Sequence, residues 1–129
     1  MTIRTVLVTC GSTGIGLAVV KRFLKEGHRV ISHFHTNPID KNSLTGENRD
    51  RLFEVQCDLV CVKQTNIMLV KSIEKFGAID ILINNAAKYT IADHYCNLKS
   101  GDFLDVLKVN LIAPFELSKK VIGEMIENG

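Results

Sequence analysis

Val6-Leu7-Val8-Thr9-Cys10-Gly11-Ser12-Thr13-Gly14-Ile15-Gly16 decides the fold. Residues 6–9 are β-forming without polar alternation, the pattern of a strand buried on both faces. A glycine-rich turn follows at 11–16. A helix then runs to about residue 26. Its apolar stripe is Ile15, Val19 and Phe23, with Val20 and Leu24 beside it, while Lys21, Arg22 and Lys25 face water. Gly27 is the helix stop. Strand, glycine turn and amphipathic helix in this order read as a phosphate cradle. The first backbone N–H groups of the helix lack partners and point at an anion, and the helix dipole adds to the attraction. A tight turn alone would also use glycine, but the flanking elements favour nucleotide binding.

Working outward, the chain keeps alternating short apolar runs with helical ones. Strands are expected at 29–35, 52–57 and 79–83, and a helix at 63–76 with Leu69, Ile73 and Phe76 on one face and Gly77 as its stop. Residues 36–50, with Pro38 and Gly46, read as a loop or short helix, and 87–98 as a loop. A long helix is expected over 100–128, interrupted near Pro114. Alternating strands and helices predict an α/β fold with a parallel sheet and helices on both faces. Right-handed crossovers fix the winding.

Composition narrows the function classes. The chain has 129 residues, enough for one domain. Apolar residues make up 46% and charged residues 23%, which excludes a disordered class. No apolar run reaches the roughly 20 residues that span a bilayer. The start, Met1-Thr2-Ile3-Arg4-Thr5, leads into an apolar run too short for a signal peptide, so a cytoplasmic location and no membrane partner are expected. The net charge is +2, with Lys and Arg scattered and Trp absent, which argues against nucleic acid. Cys10, Cys57, Cys61 and Cys96 form no C-x-x-C pair or zinc-finger spacing, so no metal is expected.

Four motifs then coincide. Thr9-Cys10-Gly11-Ser12-Thr13-Gly14-Ile15-Gly16 resembles the T-G-x-x-x-G-x-G signature of the short-chain dehydrogenases/reductases. Cys57-Asp58-Leu59 resembles that family's third-strand Asp, and Asn84-Asn85-Ala86-Ala87 its N-N-A-G motif. Val109-Asn110-Leu111 before Ala113-Pro114-Phe115 resembles the helix bearing its catalytic Asn. The resemblance covers the whole chain, and the chain covers about the first half of the family's usual catalytic domain. It implies a single 1–129 NAD(P)-binding Rossmann domain, a doubly wound parallel sheet of strand order 3-2-1-4 that is truncated after the fourth strand and its helix. It also implies a dinucleotide bound by Cys10, Ser12, Thr13, Gly14, Ile15 and Gly16 at the phosphates, by Asp58 and Leu59 at the adenine, and by Asn85, Ala86 and Ala87 near the ribose. One of Asn84 and Asn85 is expected to brace two strands. Two positions depart from the pattern: Cys10 stands where the signature has its first glycine, and Ala87 where N-N-A-G ends in glycine. Cys10 crowds the turn if that turn needs a missing Cβ, and is tolerated if it does not.

The end of the second strand sets cofactor choice. An acid there accepts from the ribose 2′-OH and repels a 2′-phosphate. Here the run is Val30-Ile31-Ser32-His33-Phe34-His35, with Phe34 near the acid's place. His33 and His35 share a strand face, and either could donate to a 2′-phosphate. The run resembles the H-Y-H of pteridine-reductase-type members, which implies NADP(H) over NAD(H). Thr13 departs from this, since such members often carry a basic residue there.

Pro114 lacks an N–H, so in a continuous helix the Asn110 carbonyl loses its donor. By resemblance Asn110 is the catalytic Asn, whose freed carbonyl holds a water in a proton relay. Hydride chemistry in the family also needs a Ser on a fifth strand and a Tyr-x-x-x-Lys after the Asn. Residues 1–129 contain neither: Tyr95-Cys96-Asn97-Leu98-Lys99 precedes Asn110. Three readings follow: a truncated NAD(P)(H) oxidoreductase inactive alone, a dinucleotide-binding module of an oligomer, or a non-catalytic protein whose long helix pairs with a copy of itself or a related subunit. The substrate is not legible.

Overall fold

The computed structural model describes residues 2–91 and 94–128. Ala92 and Asp93 of the expected 87–98 loop lie outside the described residues, as do Met1 and Gly129. Four strands, β1 (Thr5–Val8), β2 (Arg29–Phe34), β3 (Leu52–Gln56) and β4 (Ile81–Ile83), form one parallel sheet in the order β3-β2-β1-β4. This is the expected α/β Rossmann-type arrangement. The helices are α1 (Gly14–Lys25), α2 (Gly46–Asp50), α3 (Val62–Phe76), α4 (Ser100–Leu107) and α5 (Ala113–Asn128). Single 3-10 turns occupy Lys41–Ser43 and Tyr95–Asn97. Among the described residues no helix is long and apolar enough to cross a membrane.

Strand alternation divides the core in two. Leu7, Ile31 and Val55 point to one face, against Met68 and Leu69 of α3 and Leu117 and Val121 of α5. Val6, Val8 and Val30 point to the other, against Val20 and Leu24 of α1 and Ile39 and Leu44 of the 36–50 segment.

Three elements differ from expectation. The buried line of α1 is Gly16, Val20 and Leu24, one residue on from the expected stripe, and Ile15 is 77% exposed. Gly16 sets this rotation. A Cβ there would stand 2.1 Å from the Cys10 carbonyl oxygen and 2.6 Å from Asn85 Nδ2, so the helix turns this glycine toward the Cys10 backbone and the Asn85 side chain. On α3 the buried line is Thr65, Met68, Leu69 and Ser72, with Ile73 and Phe76 at its margin. β4 starts at Ile81 rather than 79: the Asp80 carboxylate instead accepts from the Thr5 N–H (2.6 Å) and from Arg4 (3.3 Å), and Ile79 is buried outside the strand.

The long helix breaks where Pro114 requires. Lys108–Ile112 forms a π turn between α4 and α5. The Ala113 N–H donates to the Lys108 carbonyl, five residues back, and Pro114 has no N–H to offer Asn110.

Candidate functional site

The loops leaving the carboxyl ends of all four strands converge on one cleft of about 370 Å³. Open α/β sheets bind ligands there, at the point where the chain reverses its direction of strand addition. Cys10, His33, His35, Asp58, Leu59, Ala86 and Ala87 from the sequence reading line this cleft, together with Cys57, Val60, Lys88, Asp105 and Val109. Ser12 is half-buried, and Thr13, Gly14 and Ile15 lie exposed at the α1 start. Phe34 is half-buried and Asn85 sits behind the lining. Sequence reasoning missed Lys88 and Asp105, which neither periodicity nor motif marks.

Thr13 precedes α1 in extended backbone, its side chain makes no capping bond, and its carbonyl accepts the first helical bond from Leu17. The N–H groups of Gly14, Ile15 and Gly16 therefore have no acceptor within the helix. No acidic residue occupies the first turn. Free donors at a positive helix end fit a pyrophosphate, and the Gly16 contact leaves no room for a side chain that would push the loop away.

Cys10 settles the question of its missing glycine through backbone rather than space. Its φ is +54°, in the left-handed region, the one non-glycine residue so placed among the described residues. Its N–H donates to His33 Nδ1 (3.1 Å), and the other ring nitrogen, Nε2, lies 2.9 Å from the Cys57 carbonyl. Since Nδ1 accepts, the proton sits on Nε2, which donates to Cys57. His33 is 1% exposed, and burial lowers its pKa below the usual histidine value. The expectation that His33 could donate to a 2′-phosphate is therefore corrected: both ring nitrogens are occupied by backbone. His35 lies past the strand end, exposed.

Asn85 does the bracing. Its Nδ2 donates to the carbonyls of Thr9 (2.9 Å) and Cys10 (3.1 Å), tying the loop after β4 to the loop after β1. The Thr9 hydroxyl accepts from the Asn85 and Ala86 N–H groups, 2.9 Å each. Asn84 faces the other way and donates to Ser118 Oγ (3.2 Å). Asp58 partly caps its own turn: Oδ1 accepts from the Val60 N–H (3.1 Å) while the residue borders the cleft. Burial pushes the Cys57 thiol pKa up.

Asn110 faces Lys88. Its Oδ1 accepts from the Lys88 N–H (2.7 Å) and its Nδ2 donates to the Lys88 carbonyl (2.8 Å), so the π turn fastens the loop after β4. Lys88 Nζ pairs with Asp105 Oδ2 at 3.2 Å, and this hydrogen bond holds the exposed Asp105 carboxyl below its usual pKa. Tyr95 is 89% exposed, with Lys99 just past its 3-10 turn. Among the described residues no group of three or more His, Cys, Asp or Glu could hold a metal ion.

A parallel sheet of this order, with a glycine cradle at β1–α1 and a cleft over the strand ends, defines a Rossmann-type dinucleotide fold. The chain belongs to the short chain dehydrogenase family, which it matches over residues 4–129. It is 26% identical to glucose 1-dehydrogenase 2 of Bacillus subtilis, over 99% of this chain and 51% of that protein. It is 30% identical to 3-hydroxyacyl-CoA dehydrogenase type-2 of Bos taurus, over 95% of this chain and 48% of that protein. Among solved structures, 3-ketoacyl-(acyl-carrier-protein) reductase from Brucella melitensis complexed with NADH superposes with a TM-score of 0.83 and 26% identity, covering 97% of this chain and 51% of that one. The chain thus spans about half the length of the curated relatives it matches.

Proposed function

We propose that residues 1–129 form the NAD(P)(H)-holding part of an oxidoreductase acting between a carbonyl and an alcohol. One observation carries this: unpartnered N–H donors of α1 stand beside a cleft built from the carboxyl ends of all four strands. The bound dinucleotide supplies the hydride. The chain's own residues bind and orient it: the turn from Cys10 to Gly16 takes the pyrophosphate, Asp58 and Leu59 meet the adenine, and Ala86 and Ala87 border the ribose. Asn85 acts from behind, by fixing the two loops against each other. Asn110 carries two duties. Its side chain holds Lys88, and its main-chain carbonyl, left without the Pro114 donor, can hold a water for proton relay. The group that protonates the substrate carbonyl lies outside residues 1–129, which hold no Tyr-x-x-x-Lys after Asn110. These residues alone are expected not to reduce a carbonyl substrate.

NADP(H) is the preferred dinucleotide, because β2 ends at Phe34, with His35 just beyond and no carboxylate to repel a 2′-phosphate. Calorimetric titration with NADPH and NADH tests both statements. Tighter NADPH binding is expected, and Phe34→Asp should shift the preference toward NADH by about 1–3 kcal/mol. Binding of neither dinucleotide overturns the reading. A second reading, a module that meets a further subunit, is favoured by Phe103, Leu104, Leu111 and Phe115, all more than half exposed. Sedimentation of the chain would show that association.

A further inference from the structure

His33, on β2, links two loops of the cleft, a tie that no motif predicts. Its imidazole takes the Cys10 N–H at 3.1 Å and gives its own N–H to the Cys57 carbonyl at 2.9 Å. Cys10 is also the residue forced into left-handed backbone, which costs a side-chain-bearing residue strain that something nearby must offset. Cys10 leads directly into the cradle: its carbonyl is the atom a Gly16 Cβ would meet first, and the same carbonyl accepts from Asn85. We propose that His33 is the positioning residue of the phosphate loop: its neutral imidazole holds the Cys10 turn that aims the α1 donors, and gaining a proton releases it. This rests on the dinucleotide reading above.

The chemistry is specific to one protonation state. Nδ1 can accept from Cys10 only through its lone pair, and a second proton fills that lone pair and sets two donors against each other. The titratable groups around the ring are Cys10 after β1, His35 beyond its own strand, and Cys57 and Asp58 after β3. Burial disfavours the charged ring most, the hydrogen bond to the Cys57 carbonyl opposes it, His35 adds repulsion, and Asp58 also favours the charge. The neutral ring is therefore resident at neutral pH, and the clamp weakens as pH falls below the ordinary histidine range, about 6.5.

The test is titration of the intact protein with NADH, which has no 2′-phosphate for His35 to meet, from about pH 8 down to the lowest pH at which the native fold persists, since burial sets the His33 transition below about 6.5. Circular dichroism at each pH monitors the fold. NADH affinity is expected to fall about threefold to tenfold on acidification with the fold intact, the effect of one lost hydrogen bond. His33→Gln, which keeps a donor and an acceptor but does not titrate, should flatten the profile. His33→Leu should weaken NADH about tenfold in the native background and less than about twofold in Cys10→Gly, where glycine takes the turn unaided. If His33→Leu fails to fold, the pH series on the native protein decides. Tight binding that is flat or strengthens on acidification overturns the clamp and leaves the dinucleotide reading standing. Absence of NADH and NADPH binding at every pH overturns both.

Discussion

β1 and β4 are neighbours in one sheet, and Val6, Leu7 and Val8 of the first pair directly with Ile81, Leu82 and Ile83 of the second. Both strands are apolar. Yet the three β1 residues are 0% exposed, whereas the three of β4 are only part-buried. The difference is in what surrounds them. β1 has a strand on each side and helices over both faces; β4 is the sheet edge, with an open groove beside it lined by Leu82, Asn84, Ser118 and Ile122. The contrast continues into the helices. Val20 and Leu24 of α1 are fully buried, but Phe115 and Ile122 of α5 are 61% and 54% exposed. Apolar composition sets which side chains can be buried; neighbours decide which are. On the β1 side every neighbour is within the chain. On the β4 side the apolar surface remains open, which supports the association proposed above.

Substitutions can break or sharpen this contrast. The largest effect is expected at Leu117, which reaches back from α5 into the core and is 1% exposed. Leu117→Ala should cost about 2–5 kcal/mol in denaturant unfolding. Gly16→Ala comes next. It should cost about 1–3 kcal/mol and remove dinucleotide binding in a calorimeter, since the displaced atoms are backbone at the cradle. Cys10→Gly should act in the opposite direction, raising stability by roughly 1 kcal/mol through relief of its left-handed backbone. The smallest effect belongs to Ile122→Lys, on the exposed face of α5, which should stay within about 0.5 kcal/mol by the same unfolding measurement at a protein concentration too low for association. A loss there as large as that of Leu117→Ala would mean that this face is covered in solution, and the contrast would disappear.

Much of the fold was legible because it is written locally. The unbroken Val6-Leu7-Val8 run, the glycine turn and the stops at Gly27 and Gly77 each act over a few residues, and together they predict a parallel sheet. The rotation of α1 was not legible. Apolar residues cover a wide arc of that helix, and the choice between Ile15 and Gly16 is made by the Cys10 backbone and by the side chain of Asn85, far along the chain. The cleft divides the same way. Asp58, Ala86 and Ala87, which their motifs single out, line the cleft. The motif does not announce the second role of Asp58, which caps its own turn through the Val60 N–H. His33 was misread because strand alternation gives its face but not its partners, which lie 23 and 24 residues away. Lys88 and its tie to Asn110 span 22 residues, with no periodic signal to announce them.

The pairing of Asn110 with Lys88 restricts what evolution can place at that position. The side chain meets a peptide unit with one donor and one acceptor, as another peptide unit would. Aspartate has the same shape but would turn a lone pair toward the Lys88 carbonyl. Leucine fills the space and offers neither bond, and glutamine carries the right groups one methylene too far out. The side-chain pairing alone thus favours asparagine at this position, before any demand made by its main-chain carbonyl. A lineage that abandoned catalysis would still retain this asparagine for as long as it retained the loop.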